Sequence, residues 1–355
     1  MTPDTTAYHG YQAQKYFANL DGLRFLCIAM VLWHHGQPIA RGAVALADRG
    51  FLGVDFFFVL SGFLITTLLL RESDRNGQFS IKNFYRRRIL RIFPVYFFVV
   101  TVMAVYFWQI KGIEVGHLLP YYYLFLSNFL TEHLPTLSIT WSLSVEEQFY
   151  MLWPLTLLFV SRRYLPSVLI FAIAINVIVS AGWVPVQAPV IGQLVIALPN
   201  STYAPILLGA LLALVLHSKR GFDILYRLFG GKWAGLTLLL VLIVILQLLP
   251  SNVIGLPNLA IHTTMTLTLA AIVLRTDTAL SRVFQNPILS RVGVISYGIY
   301  LYHMIARDFT VRIFEKLGIT NDWVLLFTYS LASIVVAEIS FRTLETYFRR
   351  FRPAD

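Results

Sequence analysis

Apolar runs of about 20 residues recur along this chain, and short polar or charged segments separate them. A helix needs about 20 mainly apolar residues to cross the hydrocarbon core of a membrane. The pattern therefore predicts about ten membrane-spanning helices, near residues 22–40, 51–70, 90–109, 143–160, 165–184, 200–217, 233–250, 256–274, 293–314 and 323–345. The segment 118–131 is short, rich in tyrosine and contains Pro120, which suits an interfacial or re-entrant piece, with an eleventh span as the alternative.

The distribution of basic residues favours ten spans over eleven. Lys and Arg are concentrated in the cytoplasmic loops of membrane proteins. If 118–131 does not cross, most of the 28 Lys and Arg residues lie on one side, together with both termini. An eleventh span would move Arg162, Arg163 and later basic loops to the other side. We therefore predict an all-α integral membrane protein, a bundle of about ten transmembrane helices with cytoplasmic N- and C-termini.

Composition narrows the class of protein further. Hydrophobic residues make up 57% of the 355 and charged residues only 13%, whereas soluble domains carry about 25% charged residues. These values exclude a disordered chain, a nucleic-acid binder and an ordinary cytosolic enzyme. The net charge of +10 is explained by basic cytoplasmic loops. A single cysteine, Cys27, excludes an intramolecular disulfide and a thiolate metal cluster.

Two polar residues of the first predicted span share a helix face. Arg24 and His35 are eleven residues apart, within about 20° of three full turns, and therefore lie about 16 Å apart on one face. His34 points about 80° away from that face. Arg24 could instead extend its charge to lipid headgroups, with the histidines at the interface. Ionisable groups inside a membrane are nevertheless costly and by default mark a function.

Other predicted spans also contain polar groups. Asp55 needs a cation or a hydrogen-bond donor, whereas the adjacent glycine makes Ser61 part of a close-packing motif. Glu146 and its neighbour Glu147 lie near the outer end of the fourth span, where a carboxylate could orient a histidine. His303 lies among tyrosines of the ninth span and is either a core histidine or part of a site.

An arginine cluster follows the second span, in the sequence FYRRRILRIFP. Arg87, Arg88 and Arg91 have i, i+3 and i+4 spacing, which predicts three guanidiniums on one helical face at the membrane surface. Guanidiniums bind phosphate through two parallel hydrogen bonds. The cluster therefore indicates either contact with anionic lipid or a site for a phosphorylated cofactor.

Together these groups form an outer-half cluster of His35, Asp55 and Glu146 and an inner arginine cluster, with Arg24 between them. A transporter or channel could carry such a line of polar groups. An enzyme that takes a phosphorylated donor from inside and acts on something outside would carry it too.

Five motifs in order resemble the acyltransferase-3 family of membrane-bound O-acyltransferases: LDGLR…HH, FFFVLSGFL, RRRILRIFP, WSLSVEEQFY and SYGIYLYH. The resemblance runs from about residue 17 to 303. The family's arginine–histidine motif falls on Arg24 and His35, and its acidic residue on Glu146. Its arginine motif falls on Arg87, Arg88 and Arg91, and the other motif positions are Ser61, Gly62, Phe63, Tyr300, Leu301 and His303.

The resemblance implies an enzyme that moves an acyl group, commonly acetyl from acetyl-CoA, onto a hydroxyl of an extracytoplasmic glycan or glycan precursor. It implies acyl-CoA as co-substrate, a carbohydrate or other hydroxyl acceptor, contact with membrane lipid, no metal and no nucleic acid. In a bacterium the protein would lie in the cytoplasmic (inner) membrane. Residues 1–16 are expected to be a cytoplasmic segment, 17–348 the acyltransferase-3 transmembrane domain and 349–355 a cytoplasmic tail. Some members carry a further esterase-like domain at the C-terminus, whereas this sequence stops at Asp355.

The expected mechanism assigns catalytic roles to His35, Glu146, Asp55 and Arg24. His35 would act as general base, with Glu146 or Asp55 fixing its tautomer. The arginine motif would hold the CoA phosphates, and an acyl-histidine intermediate stays open. Acylation of a small secondary metabolite is one alternative function, and a transporter of glycans or small molecules is another. A hydrolase is a weaker alternative because Ser61 lacks a nucleophile-elbow setting.

Overall fold

The computed structural model describes residues 5–39, 42–184, 190–191, 194–195, 203–249 and 253–353. Seventeen α-helices make up almost all of the regular structure in these ranges: α1 Thr5–Ala13, α2 Asn19–Gly36, α3 Ala45–Asp48, α4 Leu52–Asn76, α5 Ile81–Gln109, α6 Leu119–Tyr123, α7 Thr140–Phe159, α8 Leu165–Ser180, α9 Ala204–His217, α10 Lys219–Phe229, α11 Ala234–Leu248, α12 Leu256–Val273, α13 Ser281–Phe284, α14 Pro287–Val294, α15 Ser296–Leu317, α16 Asp322–Ser340 and α17 Thr346–Arg349. A 3₁₀ turn covers Ser127–Phe129, and a π-helical turn at Phe341–Glu345 joins α16 to α17. Two short antiparallel strands, β1 Val190–Ile191 and β2 Leu194–Val195, complete the structure.

Polar residues set the ends of several helices. The Ser80 hydroxyl accepts a hydrogen bond from the Asn83 amide and starts α5, and the Asn321 side chain starts α16 in the same way. Gly318, with φ of 66°, ends α15 in the left-handed conformation that glycine adopts without strain. Gln37 takes the same conformation immediately after α2, so His35 lies in the last turn of that helix.

Each predicted span contains one long helix, but length and composition identify fewer membrane crossings. In the described ranges four helices are long and apolar enough: Leu52–Asn76, Ile81–Gln109, Leu256–Val273 and Asp322–Arg349. Two bent pairs raise the number to six if each pair is one span: Ala204–His217 with Lys219–Phe229, at 106°, and Pro287–Val294 with Ser296–Leu317, at 74°. The helical membrane architecture is confirmed, whereas ten crossings and cytoplasmic termini stay predictions.

Long apolar helices here are hydrophobic on both faces. On α5, Val95, Val99 and Met103 are buried in the bundle, while Phe98 and Val102 are about half exposed on the opposite side. A helix in water would place polar residues on that outer face. The chain is therefore an integral membrane protein with an outer apolar surface suited to lipid.

The segment 118–131 contains only α6 and the 3₁₀ turn. Five residues of helix are far too short for a crossing that needs about 20. The Tyr122 carbonyl accepts a hydrogen bond from the Tyr96 hydroxyl of α5, and the Phe125 carbonyl accepts one from the Gln148 amide of α7. The segment is thus folded against α5 and α7, which favours the non-crossing alternative.

Helix α4 is the central element of the bundle, and its closest neighbour is α9. A Cβ atom on Gly62 would lie 1.9 Å from the Ile206 carbonyl oxygen, and one on Gly209 would lie 2.1 Å from the Val59 carbonyl oxygen. The two backbones therefore touch without intervening side chains, the close packing that the Ser-Gly pair predicts. The neighbouring Phe63 is completely buried.

The boundaries of the three predicted segments, 1–16, 17–348 and 349–355, stay predictions. Helix α1 falls in the predicted N-terminal segment and packs against α10. Residues 1–4 of that segment and residues 354–355 of the predicted tail lie outside the described residues.

Candidate active site

A cavity of about 320 Å³ lies between α2, α4, α5, α7 and α15. It follows α4 from Arg71 to Val54, a separation of about 25 Å at 1.5 Å per residue. Five basic side chains of the described residues line it: Lys15, Arg24, Arg71, Arg88 and Arg91. Toward the other end the lining is formed by hydroxyl and apolar groups, among them Ser142 and Tyr300. The cavity is therefore long and polarised, with positive charge concentrated at one end.

The basic side chains differ in whether they form hydrogen bonds or ion pairs with other residues. Arg71 donates to the carbonyls of Tyr11 and Gln14 at 2.7 and 2.6 Å and is held by the N-terminal segment. Arg88 lies over the Tyr150 ring at 5.4 Å. Within the described ranges, neither Arg88 nor Arg91 has a hydrogen bond or an ion pair. Their guanidiniums are therefore available to an anion that enters the cavity.

Arg87 lies in a different environment from its two predicted partners. Its Nη2 donates to Glu72 Oε2 at 2.8 Å, and it is not part of the described cavity lining. Adjacent helical residues point about 100° apart, and here Arg87 points toward Glu72 while Arg88 lines the cavity. The expected three-arginine face is corrected to Arg88 and Arg91 facing the cavity, with Arg87 in an ion pair.

Arg24 and Glu146 both line the cavity. Arg24 Nη1 lies 3.4 Å from Asp21 Oδ1, and Glu146 Oε1 accepts a hydrogen bond of 2.6 Å from the Ser61 hydroxyl. Arg88 and Arg91 are close enough to act electrostatically on Glu146. Glu146 therefore belongs with the arginines rather than with an outer-half histidine cluster.

His35 and His303 form a pair just beyond the described cavity lining. Their Nδ1 and Nε2 atoms are 3.3 Å apart, and their ring centroids are 4.8 Å apart. The Tyr300 carbonyl lies 2.6 Å from His303 Nδ1, and the Val31 carbonyl lies 3.0 Å from His35 Nδ1. Since a carbonyl can only accept, both rings carry their proton on Nδ1 when neutral. His35 therefore keeps its Nε2 lone pair, as a general base requires.

His34 faces a different neighbour, as the helical spacing predicts. Its ring packs edge-on against Phe51, with centroids 5.6 Å apart, while the His35 ring faces α15. The Arg307 Nε group donates to the His35 backbone carbonyl at 2.7 Å and fixes this end of α2 to α15.

The expected carboxylate partner of His35 is corrected by the structure. Asp55 Oδ2 lies 3.0 Å from His262 Nε2 of α12, and Glu146 binds Ser61. The Nδ1 proton of His35 is therefore held by a carbonyl and a second histidine. Asp55 is directed toward α12, and Glu146 is directed toward the cavity.

Sequence reasoning missed His262 and Arg352. His262 is 1% exposed on α12 and completes an intramembrane acid–histidine pair. An ionisable residue within the apolar run 256–274 was the available signal. Arg352 follows the last helix and lies within electrostatic range of Arg88 and Arg91. Its position in a basic tail gives no indication of this proximity. Among the described residues, no group of three or more His, Cys, Asp or Glu side chains is placed to bind a metal ion.

A family model described as an acyltransferase domain, acyltransferase-3, matches residues 17–341. Two curated relatives are similar over 98% of this chain. The peptidoglycan O-acetyltransferase OatA of Listeria monocytogenes is 29% identical over 370 residues, which cover 57% of its own length. The O-acetyltransferase OatA of Staphylococcus aureus is 27% identical over 376 residues, which cover 60% of its length. No solved structure was found to match.

The chain belongs to the acyltransferase-3 family. This membership confirms both the resemblance and the enzyme class, an acyltransferase. The chain spans less than two thirds of the length of the curated relatives that it matches.

Proposed function

We propose that this protein transfers an acetyl group from acetyl-CoA, bound from the cytoplasm, to a hydroxyl of an extracytoplasmic glycan. The observation that carries the proposal is the polarised cavity, which begins among Arg88 and Arg91 and reaches Tyr300, next to the His35–His303 pair. Relatives named as O-acetyltransferases support acetyl as the acyl group, and one named as a peptidoglycan O-acetyltransferase supports a glycan as the acceptor. In a bacterium, the proposed function implies a location in the cytoplasmic membrane.

The arginine end of the cavity is the donor-binding part of the proposal. Among the described residues, no hydrogen bond or ion pair engages the guanidiniums of Arg88 and Arg91, whose planar fork fits phosphate oxygens. Arg24, on the neighbouring wall, lies where the chain that links the phosphates to the thioester would pass. Glu146 acts as counter-charge to the arginines while no donor is bound, since a cluster of guanidiniums is costly on its own.

The histidine pair supplies the base. His35 Nε2 takes the proton of the acceptor hydroxyl while the hydroxyl oxygen attacks the thioester carbonyl carbon. The carbon–sulfur bond breaks, the ester forms, and the CoA thiolate receives the proton from the His35 imidazolium. His303 accepts from His35 Nδ1 and stabilises the imidazolium, the role expected of a carboxylate. The acetyl group reaches His35 past Tyr300, the residue that both lines the cavity and contacts His303.

The function is tested in sealed membrane vesicles of known orientation. Acetyl-CoA carrying a labelled acetyl group is supplied only to the face that exposes the arginine loop, and peptidoglycan fragments are enclosed on the other face. We expect free CoA on the side that receives acetyl-CoA and labelled ester on the side that holds the peptidoglycan fragments. Each product should form only when both substrates are present. Passage of unmodified glycan without CoA release would identify a transporter, and free labelled acetate without ester would identify a hydrolase.

The positioning role of His303 gives a separate prediction. His303→Gln keeps an acceptor near the His35 Nδ1 proton, whereas His303→Leu removes it. We expect kcat to fall about tenfold or more in the leucine variant, with partial rescue by glutamine, and the KM for acetyl-CoA to stay unchanged. Steady-state kinetics on membranes with equal protein content make the comparison. Equal losses in both variants would show that His303 contributes packing only.

A further inference from the structure

The chain beyond the last span returns to the arginine end of the cavity. The π-helical turn at Phe341–Glu345 and the helix α17 that follows it both pack against α5, the helix of Arg88 and Arg91. Arg352 comes one turn later and interacts electrostatically with Arg91 and Arg88. The family match ends at residue 341, so family membership assigns no role to this segment.

Positive charge is in excess on this side of the cavity. Arg91, Arg349 and Arg352 share the carboxylate of Glu345, which is 4% exposed, and Arg91 also interacts with Glu146. Within the part of the chain that the structure describes, Arg349 alone forms a hydrogen bond with Glu345, at 2.9 Å. Burial, and then the neighbouring Arg349, lowers the pKa of the Arg352 guanidinium to about 10, so it stays charged at neutral pH. The excess therefore persists under working conditions and favours an anion here.

The unpaired atoms of Arg352 indicate which anion fits. Its Nε and Nη2 are buried, and neither has a hydrogen-bond partner in the described residues. Arg291 uses the same two atoms to bind both oxygens of Glu338 at 2.9 Å, and Arg275 and Arg312 bind carboxylates through the same edge. An unpaired buried guanidinium edge is unfavourable, and two phosphate oxygens would satisfy it. Neighbouring atoms cover the edge here, so binding requires this long side chain to rotate toward Arg91.

The geometry points to Arg352 as a ligand of the ribose 3′-phosphate of the acyl-CoA donor. The inference rests on the proposed function. CoA carries a diphosphate next to the pantetheine arm and a separate phosphate on the ribose. Because the pantetheine arm must enter the cavity, the diphosphate would bind Arg88 and Arg91, which line the cavity. The ribose phosphate then lies outside, where the α17 segment places Arg352. An anionic lipid headgroup offers the same phosphate chemistry, and the experiment separates the two sources.

The test combines a residue change with a change in the donor. Binding of CoA and of 3′-dephospho-CoA is measured by calorimetry on the full chain in nanodiscs of a single neutral lipid. The three proteins are wild type, Arg352→Gln and Arg350→Gln. Arg350 is the matched control because it is exposed and lies over the Tyr347 ring at 3.8 Å. We expect wild type to bind CoA about tenfold or more tightly than 3′-dephospho-CoA, since a charged hydrogen bond has an effect of this size.

Arg352→Gln is expected to lose that preference, while Arg350→Gln keeps it. The inference is overturned if Arg352→Gln keeps the full preference, or if it weakens both ligands equally, as a lipid-contact or structural role would. If wild type binds neither ligand, the proposed donor itself is wrong, and the failure lies with the proposed function. KM values for acetyl-CoA and its 3′-dephospho form should follow the same pattern, with kcat unchanged.

Discussion

Replacing His35 with alanine is expected to lower acetyl transfer by about 100- to 10,000-fold, the usual effect of removing a general base. The side chain carries a free Nε2 lone pair because Val31 and His303 occupy its Nδ1 proton. Its replacement leaves the arginine end of the cavity intact, so the affinity for CoA should be preserved. Transfer rates and CoA binding, measured on the same membrane preparations, check both parts.

His34→Ala is the matched control for this prediction. The two histidines are adjacent on α2, and His34 packs against Phe51 rather than against the α15 histidine. We expect His34→Ala to insert normally and to keep substantial activity. An inactive His34 variant together with an active His35 variant would mean that the wrong histidine has been placed in the mechanism.

Removing the guanidinium of Arg88 or Arg91 is expected to raise the KM for acetyl-CoA by about tenfold or more. Hydrogen bonds to charged groups contribute about 1.5–3 kcal/mol, and both side chains line the cavity with no hydrogen bond to any residue that the structure describes. Lysine keeps the charge and loses the planar fork, so Arg88→Lys should lie between wild type and Arg88→Ala. Titration of acetyl-CoA at saturating acceptor measures the effect, and the KM for the acceptor should not change.

Arg87→Ala separates a phosphate site from a general need for positive charge. Arg87 is adjacent in sequence and forms an ion pair with Glu72. Its replacement should change the KM for acetyl-CoA much less than replacement of Arg88. Equal effects at both positions, with lysine equivalent to arginine, would leave contact with anionic lipid as the role of the whole cluster.

Hydrophobic patterning was sufficient to predict the helices, because membrane helices satisfy their own backbone hydrogen bonds and depend little on distant residues. Each predicted span contains a helix, and the family match confirms the class of enzyme. The number of membrane crossings is harder to predict from the sequence. One reason is the 74° bend between α14 and α15, which lies within one predicted span. Such a bend depends on packing rather than on apolar length.

The sequence identifies polar residues on the predicted spans, but it does not show which of their side chains pair. Asp55, Glu146 and His35 were grouped because each lies in the outer half of a predicted span. Helical spacing within one segment correctly separated His34 from His35, since both belong to α2. The sequence contains no comparable spacing pattern that would predict how one helix is rotated relative to another. The partners His262 and His303 lie more than 200 residues from Asp55 and His35, and only packing brings them together.

The close crossing of α4 and α9 has a consequence for how substrates are admitted. Gly62 and Gly209 place backbone against backbone, so these helices cannot separate or slide without steric clash or loss of contact. Since α4 lines the cavity along its length, we expect this wall to keep its shape when a substrate enters. A widening of the cavity near Tyr300 is then expected to come from displacement of α2, α5, α7 or α15 relative to the α4–α9 pair.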